Sequence, residues 1–351
     1  MEFDKLLNTY KNEVDNELNS YFDSLETEEL GDLGKKIIED LREFTLRGGK
    51  RIRAILVIFG YKAFNGKKNK EILKAAIAVE LMQSFLLIHD DIIDCDEKRR
   101  GKPTLHKLYE NNFSDLSKNP PKLGIDMAII AGNIASALGQ EIIQNTRFED
   151  SVKLKAIKIF NQAIVKTCVG EALDVISAHK KDSNESEIEL IQRLKTSTYT
   201  FESPLMLGAA FAGADNLRIE ELRNFAAPIG EAFQIQDDII GIFGSEEKIG
   251  KPVGNDIREG KKTLLFTEAI KKASNKEKDF LRYVLGNSKI KEDDIIKVKE
   301  IIDKTGSLDY SNKKIEVLIS SGLKRLDKLE INEEAKNFFR GISNYILRRE
   351  Y

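Results

Sequence analysis

The chain has 351 residues, of which 41% are hydrophobic and 32% charged, and its formal net charge is −2. Acidic and basic residues nearly balance, so the composition excludes the strongly basic face that nucleic-acid binding needs. Its two cysteines, Cys95 and Cys168, exclude a disulfide framework, and a reducing, cytoplasmic location is expected.

No part of the sequence resembles a signal peptide or a membrane span. The first residues are charged and helical in pattern, without an apolar signal core. The longest uncharged run, Met127 to Gln140, has 14 residues and is too short to cross a bilayer. We therefore expect a soluble protein with no membrane insertion and no nucleic-acid partner.

Apolar residues recur with the helical period along nearly the whole chain, and alternating strand patterns are scarce. The pattern predicts helices over 2–22, 34–46, 50–64, 69–98, 125–147, 150–180, 186–198, 201–213, 217–242, 262–273, 276–286, 292–304, 308–326 and 332–348. Breaks are predicted at 65–66, 117–121, 182–186 and 244–260. We predict one all-α domain over residues 1–351, a bundle of long helices around a deep central cavity.

The first motif with chemistry is GGKRIR at 48–53. Two glycines permit a tight turn, and three cations then enter the following helix. Arginine offers a planar fork and lysine a point charge, so this helix start suits an anion. A solvated basic helix start is the alternative interpretation.

The next motif is acidic: an apolar helix carries Asp90, Asp91 and Asp94. Asp90 and Asp94 are one turn apart on one face. Like charges at this spacing destabilise a helix by about 0.2–0.5 kcal/mol. A cation such as Mg²⁺, which takes carboxylate and phosphate oxygens, would offset that repulsion. A solvated acidic face is the alternative.

Two arginines, Arg99 and Arg100, follow this motif directly. Metal-binding carboxylates beside anion-binding arginines suit a polyphosphate, held partly through Mg²⁺ and partly through guanidinium groups. Without such a partner the run is simply solvated charge.

Lys195 and Thr196 precede a helix of small and apolar residues, Met206 to Ala214. A cation that enters such a helix points into a cavity or extends its charged end to the surface, and both interpretations remain open.

A second pair of aspartates, Asp237 and Asp238, follows Gln234 in another apolar helical run. Two separate aspartate pairs on amphipathic helices are hard to explain as solvated surface charges. If the two helices face each other, the pairs predict a cluster of metal ions.

The stretch from Gly244 to Lys262 is rich in glycine and charge. A loop of this length within a compact domain is usually functional or disordered. Lys251, Asp256 and Lys261 are then lid residues that close over a charged ligand.

Together these segments resemble the trans-isoprenyl diphosphate synthases of the polyprenyl synthetase family, most of all the archaeal-type short-chain geranylgeranyl diphosphate synthases. DDIID with RRG at 90–101 is similar to the family's first aspartate-rich motif, and QIQDD at 234–238 is similar to its second. The blocks at 48–53, 195–196 and 254–261 match in order and approximate spacing. The resemblance implies the isoprenoid synthase type I fold, a homodimer, and two aspartate-rich motifs that face each other across a cavity.

The resemblance also implies the reaction and its cofactor. The enzyme would be a prenyltransferase that condenses isopentenyl diphosphate with allylic diphosphates, using three Mg²⁺ ions. The metal ligands would be Asp90, Asp94 and Asp237, supported by Asp91 and Asp238.

Substrate contacts follow from the same resemblance. The allylic diphosphate would be held by Arg99, Lys195, Lys251 and Lys261. Isopentenyl diphosphate would be held by Lys50, Arg53, Gln83 and Arg100. The backbone carbonyls of Lys195 and Thr196, together with Gln234, would face an allylic cation.

The chain departs from the family at two positions. Gly241 stands where many members have a third aspartate, which indicates a weakened contact to a metal-bound water. Gln83 stands where many have histidine, and either side chain can donate to a phosphate oxygen.

Product length is predicted from Phe85, which lies five residues before Asp90, about 7.5 Å along the helix axis. A single aromatic ring there predicts geranylgeranyl diphosphate (C20) as the main product, with farnesyl diphosphate (C15) as intermediate or co-product. An ordinary core position is the alternative for Phe85.

Three other functions remain as alternatives. A silent subunit of a heteromeric synthase could lose its aspartates freely, and this chain keeps them. A class I terpene cyclase would need neither the motif at 48–53 nor a second aspartate pair. A longer-chain polyprenyl diphosphate synthase would share every motif named above.

Overall fold

Helices make up almost all of the regular secondary structure, so the predicted all-α class is confirmed. The structure, a computed structural model, describes residues 2–180, 184–244 and 253–348. Its contacts divide the chain into two compact units. Unit 1 consists of Met1–Asn161 and Pro204–Asp215, and unit 2 consists of Gln162–Ser203 and Asn216–Tyr351. The single domain over 1–351 stays a prediction.

Unit 1 is built from the N-terminal helices. They are α1 (Glu2–Asp23), α2 (Gly31–Leu46), α3 (Ile52–Ala63), α4 (Asn69–Ala76), α5 (Ala78–Ile93), α6 (Leu105–Asn112) and α7 (Pro120–Gln144). The start of α8 (Asp150–His179) and most of α10 (Ser203–Phe211) complete the unit. Helices α5 and α7 pack together, and α3 approaches α10 closely. A Cβ on Gly60 would lie 2.6 Å from the carbonyl oxygen of Leu205, so this contact needs a glycine.

Unit 2 contains the rest of α8 and the C-terminal helices. They are α9 (Glu185–Gln192), a π-helical segment (Arg193–Glu202), α11 (Asn216–Phe243), α12 (Asn255–Glu259), α13 (Leu264–Lys272), α14 (Asn275–Val284), α15 (Glu292–Lys304), α16 (Ser307–Lys328) and α17 (Glu333–Leu347). Helix α11 packs against α16 and against the π-helical segment. The side chains of Asn184 and Thr263 cap α9 and α13 by accepting backbone N–H groups.

The single helix predicted over 69–98 is wrong. It breaks at Ile77, and α5 ends at Ile93 with Asp94 as its C-cap. Cys95 has a φ of +56°, and the N–H of Asp96 donates to the carbonyl oxygen of Asp91 over 2.9 Å. This is a Schellman termination, which usually uses glycine. A cysteine at that position left no stop signal in the sequence.

A short β-hairpin follows, which the sequence patterns did not predict. Strands β1 (Lys98–Arg99) and β2 (Lys102–Pro103) pair antiparallel, with Arg99 opposite Lys102. Arg100 and Gly101 form the turn, with φ values of +52° and +76°. Two positive φ values in a two-residue loop match the twist that a hairpin needs. Arg100 therefore lies at a hairpin tip and not on a helix.

The break predicted between 198 and 201 is also wrong, because the chain continues there as the π-helical segment. The hydroxyl of Thr198 donates to the carbonyl oxygen of Arg193 over 2.9 Å, and the N–H of Ser203 donates to the carbonyl oxygen of Thr198. The backbone bond of Ser203 spans five residues, which is the spacing of a π-helix, and the side-chain bond of Thr198 spans the same number. The wider turn shifts the side-chain period, so the apolar pattern only seemed to stop.

Two further elements differ from the predicted ones. Helix α7 begins at Pro120 and not at 125, because Asn119 caps it and proline is tolerated in the first turn. Helix α12 lies within the loop predicted over 244–260.

Two helical stretches are long and apolar enough to cross a membrane by length and composition, Asn69–Ile93 and Pro120–Gln144. The first is 61% buried within the chain and the second 33%. Core helices of soluble proteins have the same properties, so the two stretches are weak support for a membrane protein.

Candidate active site

A small, partly open pocket, called the cavity below, lies within unit 1, between the end of α2, the middle of α5 and the hairpin. It is lined by Phe44, Thr45, Arg47, Arg51, Glu80, Gln83, Ser84, Leu87, Arg99 and Arg100. Four of these are arginines. Of the predicted substrate ligands, Gln83, Arg99 and Arg100 line the cavity. The structure therefore brings three of the predicted anion-binding residues together.

The turn at Gly48 and Gly49 allows Arg100 to pack closely against the backbone beside the cavity. Both glycines have positive φ, +114° and +110°, a region that other residues rarely adopt. A Cβ on Gly49 would lie 3.0 Å from Arg100 Nη2. Arg100 Nη1 donates to the carbonyl oxygen of Gly48. Glycine is thus needed here both for the backbone conformation and for the approach of Arg100.

The hairpin is fastened to the end of α2 by two basic residues. Arg47 Nη1 donates to the carbonyl oxygen of Pro103 over 2.6 Å, and Arg47 Nε donates to Glu43 over 2.7 Å. Lys102 Nζ pairs with the same carboxylate of Glu43 over 2.6 Å. These bonds hold Arg99 and Arg100 at the cavity.

The cavity carries more positive charge than its own groups neutralise. Burial, together with repulsion by Arg51, Arg99 and Arg53, lowers the pKa of Arg100 to about 10, although attraction by Glu80 opposes the change. A negatively charged ligand would relieve this repulsion. Lys50 and Arg53 are not among the lining residues, although Arg53 is near enough to act on Arg100.

Arg99 joins the cavity to the first aspartate-rich motif. Its Nη2 lies 2.5 Å from Asp91, 3.2 Å from Asp90 and 3.7 Å from Asp96. Burial alone would lower the pKa of Arg99, but attraction by Asp91 and the other carboxylates raises it above its ordinary value. Asp91 is fully buried, so its role in this arrangement is to hold Arg99. Asp94 follows Asp90 by one turn, and its N–H donates to the Asp90 carbonyl oxygen.

The second aspartate-rich motif lies on α11 in unit 2. Asp238 is buried and accepts hydrogen bonds from Gln192 Nε2 over 2.9 Å and Gln234 Nε2 over 2.6 Å. Burial raises the pKa of Asp238 well above its ordinary value, and repulsion by Asp256 and Asp237 adds to this effect. Asp237 is only half-buried. The geometry keeps Asp238 in place beside a more accessible Asp237.

The space beside Gly241 is occupied by a different carboxylate. A Cβ on Gly241 would lie 2.5 Å from Asp256 Oδ2, and the N–H of Gly254 donates to the carbonyl oxygen of Gly241. Asp256 therefore fills the place next to α11 that a third aspartate would need. Lys261 pairs with Glu259 over 2.5 Å and lies 3.8 Å from Asp256. Lys251 lies outside the described residues.

Lys195 and Thr196 belong to the π-helical segment. Lys195 Nζ forms ion pairs of 2.8 Å with Glu171 and Asp174 on α8. A Cβ on Gly170 would collide with the backbone nitrogen of Lys195, so α8 and this segment touch through a glycine. The absence of a side chain at 170 sets how closely Lys195 approaches α8.

Both aspartate-rich motifs present only oxygen ligands, and oxygen is the donor that Mg²⁺ and other hard divalent cations take. The mutual repulsion of Asp237, Asp238 and Asp256 is the kind that a bound cation relieves. The residues of both motifs therefore fit a divalent metal ion.

Phe85 packs against His89 one turn further along α5. The ring centroids are 4.8 Å apart in an edge-to-face arrangement, and His89 Nδ1 lies 2.9 Å from the carbonyl oxygen of Phe85. Gly132 on α7 leaves the space that the imidazole occupies. Phe85 is partly exposed on its helix, so an ordinary core position does not describe it fully.

A sequence model described as polyprenyl synthetase matches residues 35–302, more than half of the chain. The chain belongs to the polyprenyl synthetase family. The matched range includes every motif from Gly48 to Lys261, so the family and the enzyme class predicted from the motifs, a trans-prenyltransferase, are confirmed.

Individual relatives of this polyprenyl synthetase support the same family assignment. It is 35% identical over 301 residues to a short chain isoprenyl diphosphate synthase of Methanocaldococcus jannaschii, covering 85% of this chain and 82% of the relative. It is 31% identical over 312 residues to a geranylgeranyl diphosphate synthase of Sulfolobus acidocaldarius, covering 88% and 87%. The crystal structure of geranylgeranyl pyrophosphate synthase from Corynebacterium glutamicum, complexed with isoprenyl diphosphate and magnesium, matches with a TM-score of 0.93 at 31% identity, covering 98% and 99%.

Two arginines of the polyprenyl synthetase cavity were not singled out from the sequence: Arg47 was not named, and Arg51 was counted only as one of the three cations at 48–53. Arg47 precedes the glycine pair, and Arg51 lies between the two predicted ligands Lys50 and Arg53. A basic residue at either place looks like one more solvated charge. Only the burial of these side chains, each 3% exposed, distinguishes them.

Proposed function

We propose that this polyprenyl synthetase condenses isopentenyl diphosphate head to tail with allylic diphosphates. The main product is geranylgeranyl diphosphate, and farnesyl diphosphate is an intermediate or co-product. The family match over residues 35–302 carries this proposal, because it contains both aspartate-rich motifs and the basic motif at 48–53. The names of the most similar relatives support the same chemistry.

The cavity in unit 1 is the proposed site for the diphosphate of isopentenyl diphosphate. Arg100 and Gln83 line it, and Lys50 and Arg53 complete the binding set. A planar guanidinium can bind two phosphate oxygens at once, and an amide can donate to a third. The uncompensated positive charge around Arg100 supports an anionic ligand here.

The allylic diphosphate is proposed to bind at the aspartate-rich motifs with the help of Arg99, Lys195 and Lys261. Asp90, Asp94 and Asp237 are the proposed ligands of three Mg²⁺ ions, which when bound supply charge that stabilises the departing diphosphate. Asp91 and Asp238 orient their neighbours, since each is buried and hydrogen-bonded.

The organic step needs an environment that tolerates an allylic cation. The carbon–oxygen bond of the allylic diphosphate breaks and releases pyrophosphate, and the double bond of isopentenyl diphosphate attacks the allylic carbon to form the new carbon–carbon bond. The released pyrophosphate then takes the proton whose loss forms the double bond of the product. The π-helical segment at Lys195 and Thr196 supports this role, because π-helical turns redirect backbone carbonyls and are common at functional sites. Gln234 lies on α11, which packs against the π-helical segment, and its bond to Asp238 fixes the position of its amide.

The test is incubation of the purified protein with Mg²⁺, labelled isopentenyl diphosphate and each of the C5, C10 and C15 allylic primers. Chromatography of the dephosphorylated products should show C20, with some C15. Products longer than C20 would support the longer-chain synthase. No turnover with any primer would overturn the proposal in favour of a silent subunit.

A homodimer is proposed for the active enzyme. The exposed side of α8 carries Leu154, Val165, Val169 and Ile176, all within about 60° around the helix at 3.6 residues per turn. On α7, Ile129 and Ile130 are also exposed. Contiguous apolar patches of this kind mark interaction sites, and a second copy of the chain would cover them. With its apolar helices covered in this way, the enzyme is proposed to be cytoplasmic, without membrane insertion.

A further inference from the structure

Arg51 differs from the two cations beside it. Lys50 is exposed and Arg53 half-buried, whereas the Arg51 side chain is 3% exposed and turned into unit 1. Its backbone has a φ of +53°, the left-handed region that an arginine rarely adopts. Such a conformation persists only where the surrounding contacts fix it.

Two carboxylates from distant helices provide those contacts. Arg51 Nε donates to Asp15 on α1 over 2.7 Å, and Arg51 Nη1 donates to Glu80 on α5 over 3.1 Å. Glu80 is 2% exposed and also accepts the N–H of Ala54 in the first turn of α3 over 3.2 Å. The three side chains thus tie α1, the loop at 48–51, α3 and α5 together.

This network lies in the wall of the anion cavity. Arg51 and Glu80 line the cavity, and Gln83 follows Glu80 by about one helical turn. Arg51 Nη2 is buried and has no hydrogen-bond partner among the residues that the structure describes. Its other two nitrogens are bound to the carboxylates of Asp15 and Glu80, which fix the guanidinium in the cavity wall.

We propose that Asp15, Arg51 and Glu80 form a buried ion network that positions Lys50 and Arg53 for the diphosphate of isopentenyl diphosphate. Arg51 is a positioning residue and not a ligand. This inference rests on the proposed function, because it assigns a support to the isopentenyl diphosphate site.

The reason is mechanical and electrostatic. Lys50 directly precedes Arg51, and Arg53 follows it by two residues. The directions in which the side chains of Lys50 and Arg53 extend therefore depend on the left-handed backbone at Arg51. Removal of one carboxylate leaves Arg51 buried with half of its compensation, and a buried unpaired charge drives rearrangement. The loop then moves, and the distance between the two cations and the diphosphate changes.

The test uses Glu80→Gln, which keeps the shape of the side chain and removes its charge. Calorimetric binding of isopentenyl diphosphate is measured in EDTA, because a site built from cations needs no metal. We expect the dissociation constant to rise about tenfold, which equals about 1.4 kcal/mol. In turnover assays, KM for isopentenyl diphosphate should rise by a similar factor while KM for the allylic primer stays within about twofold.

Asp40→Asn is the matched control. Asp40 is a 6% exposed carboxylate of the same unit and pairs with Lys36, away from the loop at 48–53. Its loss should lower Tm while the dissociation constant for isopentenyl diphosphate stays at the parent value. If Glu80→Gln unfolds, Asp15→Asn tests the same network from its partly exposed side. Arg51→Lys should also weaken binding, since a single ammonium cannot bridge both carboxylates.

A dissociation constant unchanged in both Glu80→Gln and Asp15→Asn would overturn the positioning role. Equal increases in KM for both substrates would also contradict it, because they would indicate a general structural effect. Failure of the parent protein to bind isopentenyl diphosphate in EDTA would overturn the inference, because the inference needs a metal-independent site. The proposed function fails only if the parent protein also shows no turnover with Mg²⁺.

Discussion

Arg100 shows how a single side chain is prepared for an anion. It lies at the tip of a hairpin with positive φ, bonds to the carbonyl oxygen of Gly48, and is repelled by three neighbouring arginines. Burial first, and this repulsion second, lower its pKa to about 10. A diphosphate that enters the cavity offsets the repulsion, so binding and local stability are coupled at this residue.

Gly241 is a glycine in the second aspartate-rich motif, and Asp256 occupies the space beside it. We predict that Gly241→Asp lowers stability by about 1–3 kcal/mol, because the new Cβ would lie 2.5 Å from Asp256 Oδ2. Repulsion between the new aspartate and Asp256 adds to the loss of stability. Urea unfolding measures the loss.

The double variant Gly241→Asp with Asp256→Gly is the control, since it removes the colliding carboxylate and should recover most of the stability. A single variant as stable as the parent protein would show that Asp256 does not occupy this space.

Phe85 is the residue at which we predict control of product length. Phe85→Ala removes the ring that packs on His89 and should shift the products from C20 towards longer chains. Chromatography of the dephosphorylated products measures the distribution. Leu86→Ala is the matched control. The Leu86 side chain leaves α5 about 100° around the helix axis from that of Phe85, so its removal should not change product length. Identical products from Phe85→Ala and the parent would show that Phe85 does not limit product length.

At the scale of elements, the contact between α8 and the π-helical segment fixes the position of Lys195. Gly170→Ala should destabilise the protein by about 1–3 kcal/mol, because its Cβ would overlap the backbone nitrogen of Lys195. The displaced segment should also lower kcat. Thermal unfolding and turnover assays measure both effects.

Cys168→Ala provides the comparison for this contact, since Cys168 is exposed on the same helix and should leave Tm and kcat unchanged. If Gly170→Ala left Tm and kcat unchanged, as expected for Cys168→Ala, the close approach at Gly170 would not matter for stability or turnover.

Most helices could be predicted from the sequence because their apolar residues recur with the helical period, and α15 begins and ends where the pattern says. The misses have local causes. Cys95 ends α5 in a conformation usually left to glycine, and the π-helical segment changes the period itself. Arg51 could not be separated from Lys50 by sequence, because only the distant carboxylates of Asp15 and Glu80 reveal that it is buried.

At the scale of the whole molecule, the exposed apolar side of α8 predicts self-association. Val165 is 62% exposed in the middle of that stripe. Val165→Glu should convert a dimer to a monomer, because a buried unpaired carboxylate is strongly unfavourable at an interface. Light scattering after gel filtration gives the mass. Activity should fall if the dimer is the active form.

Leu217→Glu is the matched surface change: Leu217 is 71% exposed on α11 and belongs to no such stripe. This variant should keep the mass of the parent. A Val165→Glu protein that stays dimeric would exclude this side of α8 as the interface.

The hairpin of two-residue strands has a consequence for how this protein can change over evolutionary time. So short a ladder cannot hold itself in water, and its support comes from Glu43 and Arg47, with Arg47 bonding a partner 56 positions later in the chain. Substitutions at 43 or 47 therefore alter selection at 102, and the two segments should diversify together across lineages. An engineer who transplants the arginine-bearing tip into another protein must transfer the end of α2 along with it.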